Sequence, residues 1–367
     1  METFFSAAGL LTFIAVYALF AVYAERKISA FIQDRMGPTV VGPYGTLQTL
    51  ADILKLLQKE LIVPVRADKI LFVLAPALAF MAAVGGLAAL IGGAPLNVGL
   101  LFLLGATSVD AVGILAAGWA SNNKYSLLGA MRAVAQIVSY EAPATTALLA
   151  AVVVYGSLDL SVIAQSQSVG EDLKFLGVWD VGAYGGFLTW GAFRYPHLLP
   201  TAAVFFVAAL AEAHRAPFDL PESESELVAG YHTEYSGFFF ALLMLAEYAA
   251  LLLMCMLTAA MFFGAGNTPL PNLVALETPA VGWLDQLKNG QLAALTSGTP
   301  GNWSAKIWSA FWYSAKAAIL IFVAMWARWT YPRLRADQLT ALCWKYLTPA
   351  ALFLLLISAI VKVLETS

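Results

Sequence analysis

Eight stretches of this chain are too apolar and too long to sit on a soluble domain: roughly 3–24, 70–92, 100–119, 133–155, 198–213, 238–263, 307–331 and 347–364. A bilayer core is crossed by about 20 apolar residues wound as a helix. The fifth stretch is the shortest. A transmembrane β-barrel would show alternating segments of about ten residues, and these runs are continuous. The first is too long for a signal-peptide core and no small-residue cleavage site follows it, so it reads as retained. The sequence predicts an all-α polytopic membrane protein, with residues 1–367 as one membrane domain of eight transmembrane helices. Composition agrees: 60% of the 367 residues are apolar and 12% charged, against about 25% charged in soluble domains. This excludes a disordered chain, a basic nucleic-acid binder and a disulfide scaffold. Cys255 and Cys343 both lie in apolar stretches, which gives neither a disulfide framework nor an iron–sulfur ligand set.

Lys and Arg mark the cytoplasmic side. Arg26, Lys27, Arg35, Lys55, Lys59, Arg66 and Lys69 follow the first span; Lys124 and Arg132 follow the third, and Arg215 the fifth. Arg328, Arg333, Arg335 and Lys345 follow the seventh. The opposite loops hold only Lys174, Arg194, Lys288 and Lys306. Both termini are therefore expected on the non-cytoplasmic side. The two long outward connections, 156–197 and 264–306, read as ordered loops with short helices. No internal repeat is visible, which gives no support to an inverted-repeat carrier.

Residues 25–69 form a patterned cytoplasmic loop. Gly37-Pro38 and Gly42-Pro43-Tyr44-Gly45 mark turns. In 46–61, Leu47, Leu50, Leu54, Leu57 and Leu61 fall on one helical face, with Gln48, Asp52, Lys55 and Lys59 opposite. That predicts an amphipathic helix lying in the membrane interface. It either anchors the bundle or offers its polar face as the wall of a ligand site.

Ionisable groups within spans cost about 2.5–3.5 kcal/mol each and are mostly functional. Here they are Asp110, Glu141, Glu212, Glu247 and Lys316. Uncompensated, five would cost on the order of 15 kcal/mol, comparable with a whole domain's stability. They are expected to face one another or internal water. Desolvation disfavours a charged carboxylate, so a chain of such groups suits a proton path. The loop 212–237 adds Asp219, Glu222, Glu224, Glu226 and Glu234 around a single Arg215. Asp219 and Glu222 also read as a helix start, but the remaining acids need another reason. Acids this dense titrate as a coupled group. His214 and His232 are too few for a metal site. No Walker motif, dinucleotide fingerprint or Cys cluster is present, so any redox cofactor belongs on a partner.

Glu25-Arg26-Lys27, Arg35-Met36-Gly37-Pro38 and Val41-Gly42-Pro43-Tyr44-Gly45, running into Gln48, Ala51-Asp52 and Lys55, resemble a known first cytoplasmic stretch. It is that of the H-type (mitochondrial subunit 1) family of respiratory complex I, NADH–quinone oxidoreductase. Gly118-Trp119-Ala120-Ser121-Asn122-Asn123-Lys124-Tyr125, continuing through Arg132 and Gln136 to Ser139-Tyr140-Glu141, is similar to the same family. Ala211-Glu212 through Arg215-Ala216-Pro217-Phe218-Asp219 and the acids after it to Gly230-Tyr231, Thr233-Glu234-Tyr235 and Ala246-Glu247-Tyr248 match as well. Near the end, Arg328, Pro332-Arg333, Arg335 and Asp337-Gln338-Leu339 do too.

The resemblance implies eight spans and the membrane half of a quinone chamber in an NADH–quinone oxidoreductase. It implies that Arg26, Asp52, Lys55 and Phe218 lie at the quinone path. Glu212, Glu222, Glu224, Glu226, Glu234 and Glu247 would form an acidic funnel, Glu141 would continue it inward, and Arg328 and Asp337 would lie near it. No catalytic residue and no metal is assigned to the chain. Quinone would be the substrate, with iron–sulfur clusters and flavin on partner subunits. The implied partners are the peripheral-arm subunits, small membrane subunits and antiporter-like subunits, with membrane lipid, in a bacterial inner membrane. Asp110 departs from the family pattern. The alternatives are the membrane anchor of an energy-converting hydrogenase or ferredoxin-dependent relative, and a stand-alone carrier.

Overall fold

The computed structural model of the chain describes residues 2–91, 97–168, 174–175, 179–180, 186–221, 227–270 and 303–366. Glu222, Glu224 and Glu226 lie outside the described residues, as does most of the second outward loop. The helices are α1 (Glu2–Ile32), α2 (Gln48–Gln58), α3 (Lys69–Ile91), α4 (Gly99–Ala120), α5 (Lys124–Tyr155) and α6 (Leu160–Gln165). There follow α7 (Gly191–Arg194), α8 (Leu198–Glu212), α9 (Gly237–Phe262), α10 (Trp303–Thr330), α11 (Ala336–Leu342) and α12 (Thr348–Thr366). A two-residue antiparallel pair, Lys174 with Asp180 and Phe175 with Trp179, sits in the connection between α6 and α7.

Among the described residues, seven helical segments are long and apolar enough to cross a membrane. The eighth expected span is α8, whose 15 residues reach about 22 Å, short of a core of about 30 Å. The short α7 leads straight into it, with the Leu198 N–H donating to the Tyr195 carbonyl at 2.8 Å. Two helices start earlier than the apolar runs suggest. The Asn123 side chain accepts from the Tyr125 N–H at 3.0 Å and caps α5 ahead of its apolar run. The last span is continuous from α11 through a π-helical turn, Cys343–Leu347, into α12.

The centre of the bundle is α9. Every residue from Leu251 to Phe262 is buried, so the helix is apolar all round because it is surrounded. Within a bilayer, helices are held by close packing and by small residues at their contacts. Gly113 on α4 shows this: a Cβ there would lie 2.7 Å from the Ala79 nitrogen of α3. Pro143 inside α5 has no N–H for the Ser139 carbonyl, and the Cys343 thiol donates to that carbonyl instead, at 2.9 Å.

The loops are tied to this bundle by buried polar groups. At the end of the bundle away from α2, Gln167 donates to the Ile163 and Ala260 carbonyls and accepts from the Gly191 and Gly264 N–H groups. Lys316, expected among the intramembrane charges, donates to the Ala265 and Asn267 carbonyls at 2.9 and 2.7 Å and lies 4.0 Å over the Trp190 ring. It therefore anchors the chain leaving α9 and stands apart from the acids. On the other side, α9 opens at Gly237 with φ +56°, where a Cβ would meet the Lys59 carbonyl at 2.9 Å. Ser236 bridges the Ile62 N–H and the Glu60 carbonyl. These contacts seat α2 against α9.

Candidate functional site

A cavity of about 680 Å³ lies between α1, α2, α9 and the end of α10. One face of α1, Val22, Glu25, Arg26 and Ser29, forms part of its wall, as the three- and four-residue spacing of a helix requires. Against the expectation that α2 would offer its polar face, the lining is mostly apolar: Leu50, Ile53, Leu56 and Leu57, with Thr49 and Asp52. Leu54, facing away, is exposed, in keeping with a helix resting on lipid. The Gly-Pro loop is held to α1 by Tyr23 Oη donating to the Tyr44 carbonyl and Lys27 Nζ to the Pro38 carbonyl.

One end of the cavity is charged. Arg26 Nη1 lies 2.5 Å from Asp52 Oδ2, joining α1 to α2. Deeper in, Glu25 is 7% exposed and accepts from Tyr248 Oη at 2.6 Å. It pairs with Arg328 of α10 and faces Arg215 Nη1 at 3.4 Å. The Arg215 guanidinium in turn lies 4.2 Å over the Tyr248 ring. One carboxylate thus gathers three donors from three separate parts of the chain.

Behind this hub runs a row of acids on four helices. The charge of Arg215 acts on Glu247 of α9. Tyr231 Oη donates to Glu247 at 2.6 Å, and His232 Nε2 lies 3.0 Å from the same oxygen. Glu247, Asp110 of α4 and Glu212 of α8 line one small void, with Asp110 and Glu212 shared by a second. The charge of Glu141 on α5 acts on Glu212, and Ser108 Oγ donates to Glu141 at 2.6 Å. On neighbouring residues of one helix, Glu247 belongs to the row and Tyr248 to the hub.

The residues singled out in the sequence divide accordingly. Arg26, Asp52 and Arg328 line the cavity, whereas Lys55 is exposed and outside its lining. Phe218 is buried behind it against Tyr140, with ring centroids 5.6 Å apart. Its carbonyl, with that of Ala211, is held by Gln136 Nε2. Glu141, Glu212 and Glu247 come together. Glu234 lies aside, bonded to Asn123 Nδ2 at 2.6 Å, next to Tyr235, whose buried phenol is pushed well above its usual pKa by desolvation. Asp337 is exposed on the first turn of α11. Glu25, Arg215, Tyr248 and Tyr231 were read only as parts of motifs. The signal available for the first pair was a carboxylate at the end of an apolar run and the lone Arg in an acidic loop. Among the described residues no group of three or more His, Cys, Asp or Glu could hold a metal ion.

A family model described as NADH dehydrogenase matches residues 5–359. The chain is similar to the H-type subunit 2 of NADH-quinone oxidoreductase from Cytophaga hutchinsonii, at 49% identity over 366 residues, covering 95% of this chain and 96% of the relative. It is 48% identical to the H-type subunit of NADH-quinone oxidoreductase from Chlorobaculum parvum over 356 residues, covering 95% and 89%. With the corresponding protein of a Geobacillus species it shares 42% over 361 residues, covering 96% and 92%. Matched along nearly its whole length in each comparison, the chain belongs to the NADH dehydrogenase family, among the H-type membrane subunits of NADH-quinone oxidoreductase.

Proposed function

We propose that this membrane subunit of NADH-quinone oxidoreductase receives quinone in the cavity between α1, α2 and α9, and passes the resulting charge change along its row of buried acids. The observation that carries the reading is the shared element: α9 brings Tyr248 to the cavity hub and Glu247 to the acid row. The apolar wall suits an isoprenoid tail arriving from lipid, and Arg26, Asp52, Tyr248 and Arg328 suit a polar headgroup. Electrons come from a redox centre on the peripheral-arm subunits. A quinone gaining negative charge beside Glu25 would compete for its guanidinium partners. Arg215 then acts differently on Glu247, and coupled acids redistribute protons towards antiporter-like subunits. Glu222, Glu224 and Glu226 are proposed to extend the row at its cytoplasmic end, with Glu234 beside it. Lys55 and Asp337 are proposed to act at the surface around the cavity mouth. The bacterial inner membrane, with both termini outside, is the proposed setting, supported by the Lys and Arg asymmetry. The hydrogenase alternative finds no support in the relatives.

The test is Glu212→Gln in the assembled complex in sealed membrane vesicles. Donor-driven proton translocation per electron should fall at least about tenfold, a barrier rise of about 1.4 kcal/mol. Unchanged translocation at normal electron flow would overturn the reading.

A further inference from the structure

Asp110 is the acid of the row that the family resemblance leaves without a role. Two members of the row are held: Glu247 by Tyr231 and His232, Glu141 by Ser108. Asp110 and Glu212 have no hydrogen-bond or ion-pair partner among the described residues, although both are largely buried. A structural acid in that position would be bonded. Both instead face two small voids of about 10 and 20 Å³. A single water needs about 10–15 Å³ and two or more polar partners. The first void has the Asp110, Glu212 and Glu247 carboxyls and Tyr231 on its wall; the second has Asp110, Glu212 and Thr107.

We propose that Asp110 is a proton-relay residue linking Glu247 to Glu212 through one water in each void. The step balances without a co-reactant. A protonated carboxyl gives its proton to the water, which passes one of its own hydrogens to the next carboxylate and remains water. Glu247 and Glu212 share the first void alone, whereas Asp110 lines both voids and so offers Glu212 a second water-bridged route. The proposal rests on reading the acids as the protonic route.

The test uses the whole complex in sealed vesicles with Asp110→Asn, Asp110→Glu, Asp110→Gln and Glu212→Gln. Donor-driven translocation per electron and the infrared carboxyl C=O band, in light and heavy water, are measured together. Asp110→Asn should lower translocation at least about tenfold, and Asp110→Glu should recover most of it. The reduction-induced carboxyl band should shift in heavy water and lose intensity in Asp110→Asn. If Asp110→Asn does not assemble, the equal-sized Glu and Gln variants decide: loss with Gln alone supports the relay, and equal translocation overturns it. Normal translocation in Asp110→Asn with loss in Glu212→Gln removes Asp110 from the path. Normal translocation in both overturns the underlying reading.

Discussion

Replacing Glu25 by Gln changes no volume and removes one charge, which makes it the sharpest probe of the hub. The carboxylate accepts from Tyr248 at 2.6 Å, faces Arg215 at 3.4 Å and pairs with Arg328. The amide keeps one acceptor oxygen and turns an NH₂ donor towards groups that are donors themselves. Arg215 is 8% exposed, so water cannot replace the lost counter-charge. Breaking a buried pair costs about 3–5 kcal/mol. The lost charge-assisted bond, about 1.5–3 kcal/mol, is contained in that figure. The Arg26–Asp52 pair is the internal control. It is shorter, 2.5 Å, but its side chains are 45% and 33% exposed, and pairs of that kind contribute about 0–1 kcal/mol. Both variants, purified as whole complex in lipid nanodiscs, are compared by kcat/KM for quinone and by the half-life of thermal inactivation. Glu25→Gln should lose at least about tenfold in kcat/KM and inactivate much faster, whereas Asp52→Asn, itself on the cavity wall, is the control for stability alone and should keep the parent's half-life within about threefold. Equal half-lives of the two would refute the argument that burial, rather than distance, sets the importance of a charge here.

Two further outcomes follow from groups at the end of the bundle away from α2. Lys316→Met removes two bonds to carbonyls and a cation over Trp190; at about 1.5 kcal/mol or more per charged bond, it should loosen the chain after α9 by about 3 kcal/mol. Limited proteolysis of the detergent-solubilised complex should cut there sooner than in the parent. Burial holds the His197 imidazole below its usual 6.5, with Glu365 opposing. Its contribution to stability is therefore full above pH 6.5 and is lost as pH falls through the lowered value. Thermal stability of the parent should drop over that range, and His197→Asn should flatten the drop.

The spans were legible because a bilayer imposes a length and a polarity that hydropathy reads directly. The beginnings of α5 and of the last span were not, because helices continue into water once a cap satisfies their ends, as Asn123 does for α5 and the Gln338 side chain, accepting from the Arg335 N–H, does for α11. The acids of the row were legible one by one, since a carboxylate within an apolar run stands out. The hub was not. Glu25 finds Arg215, Tyr248 and Arg328 across 190, 223 and 303 residues of sequence, and no local pattern encodes such meetings. Lys316 was legible as an intramembrane charge, but backbone carbonyls leave no trace in side-chain composition, so its partners could not be read.

Consecutive residues on an α-helix point about 100° apart, and α9 uses that angle to put Tyr248 in one chamber and Glu247 in another. The helix is hemmed in along its far half, from Leu251 to Phe262, and starts from Gly237, whose φ is +56°. Its near half is thus a short shaft clamped at one end. Any twist that draws Tyr248 off Glu25 swings Glu247 through the same arc against Tyr231 and His232. The two chambers are geared together by a single turn of backbone, with no linkage of side chains needed between them.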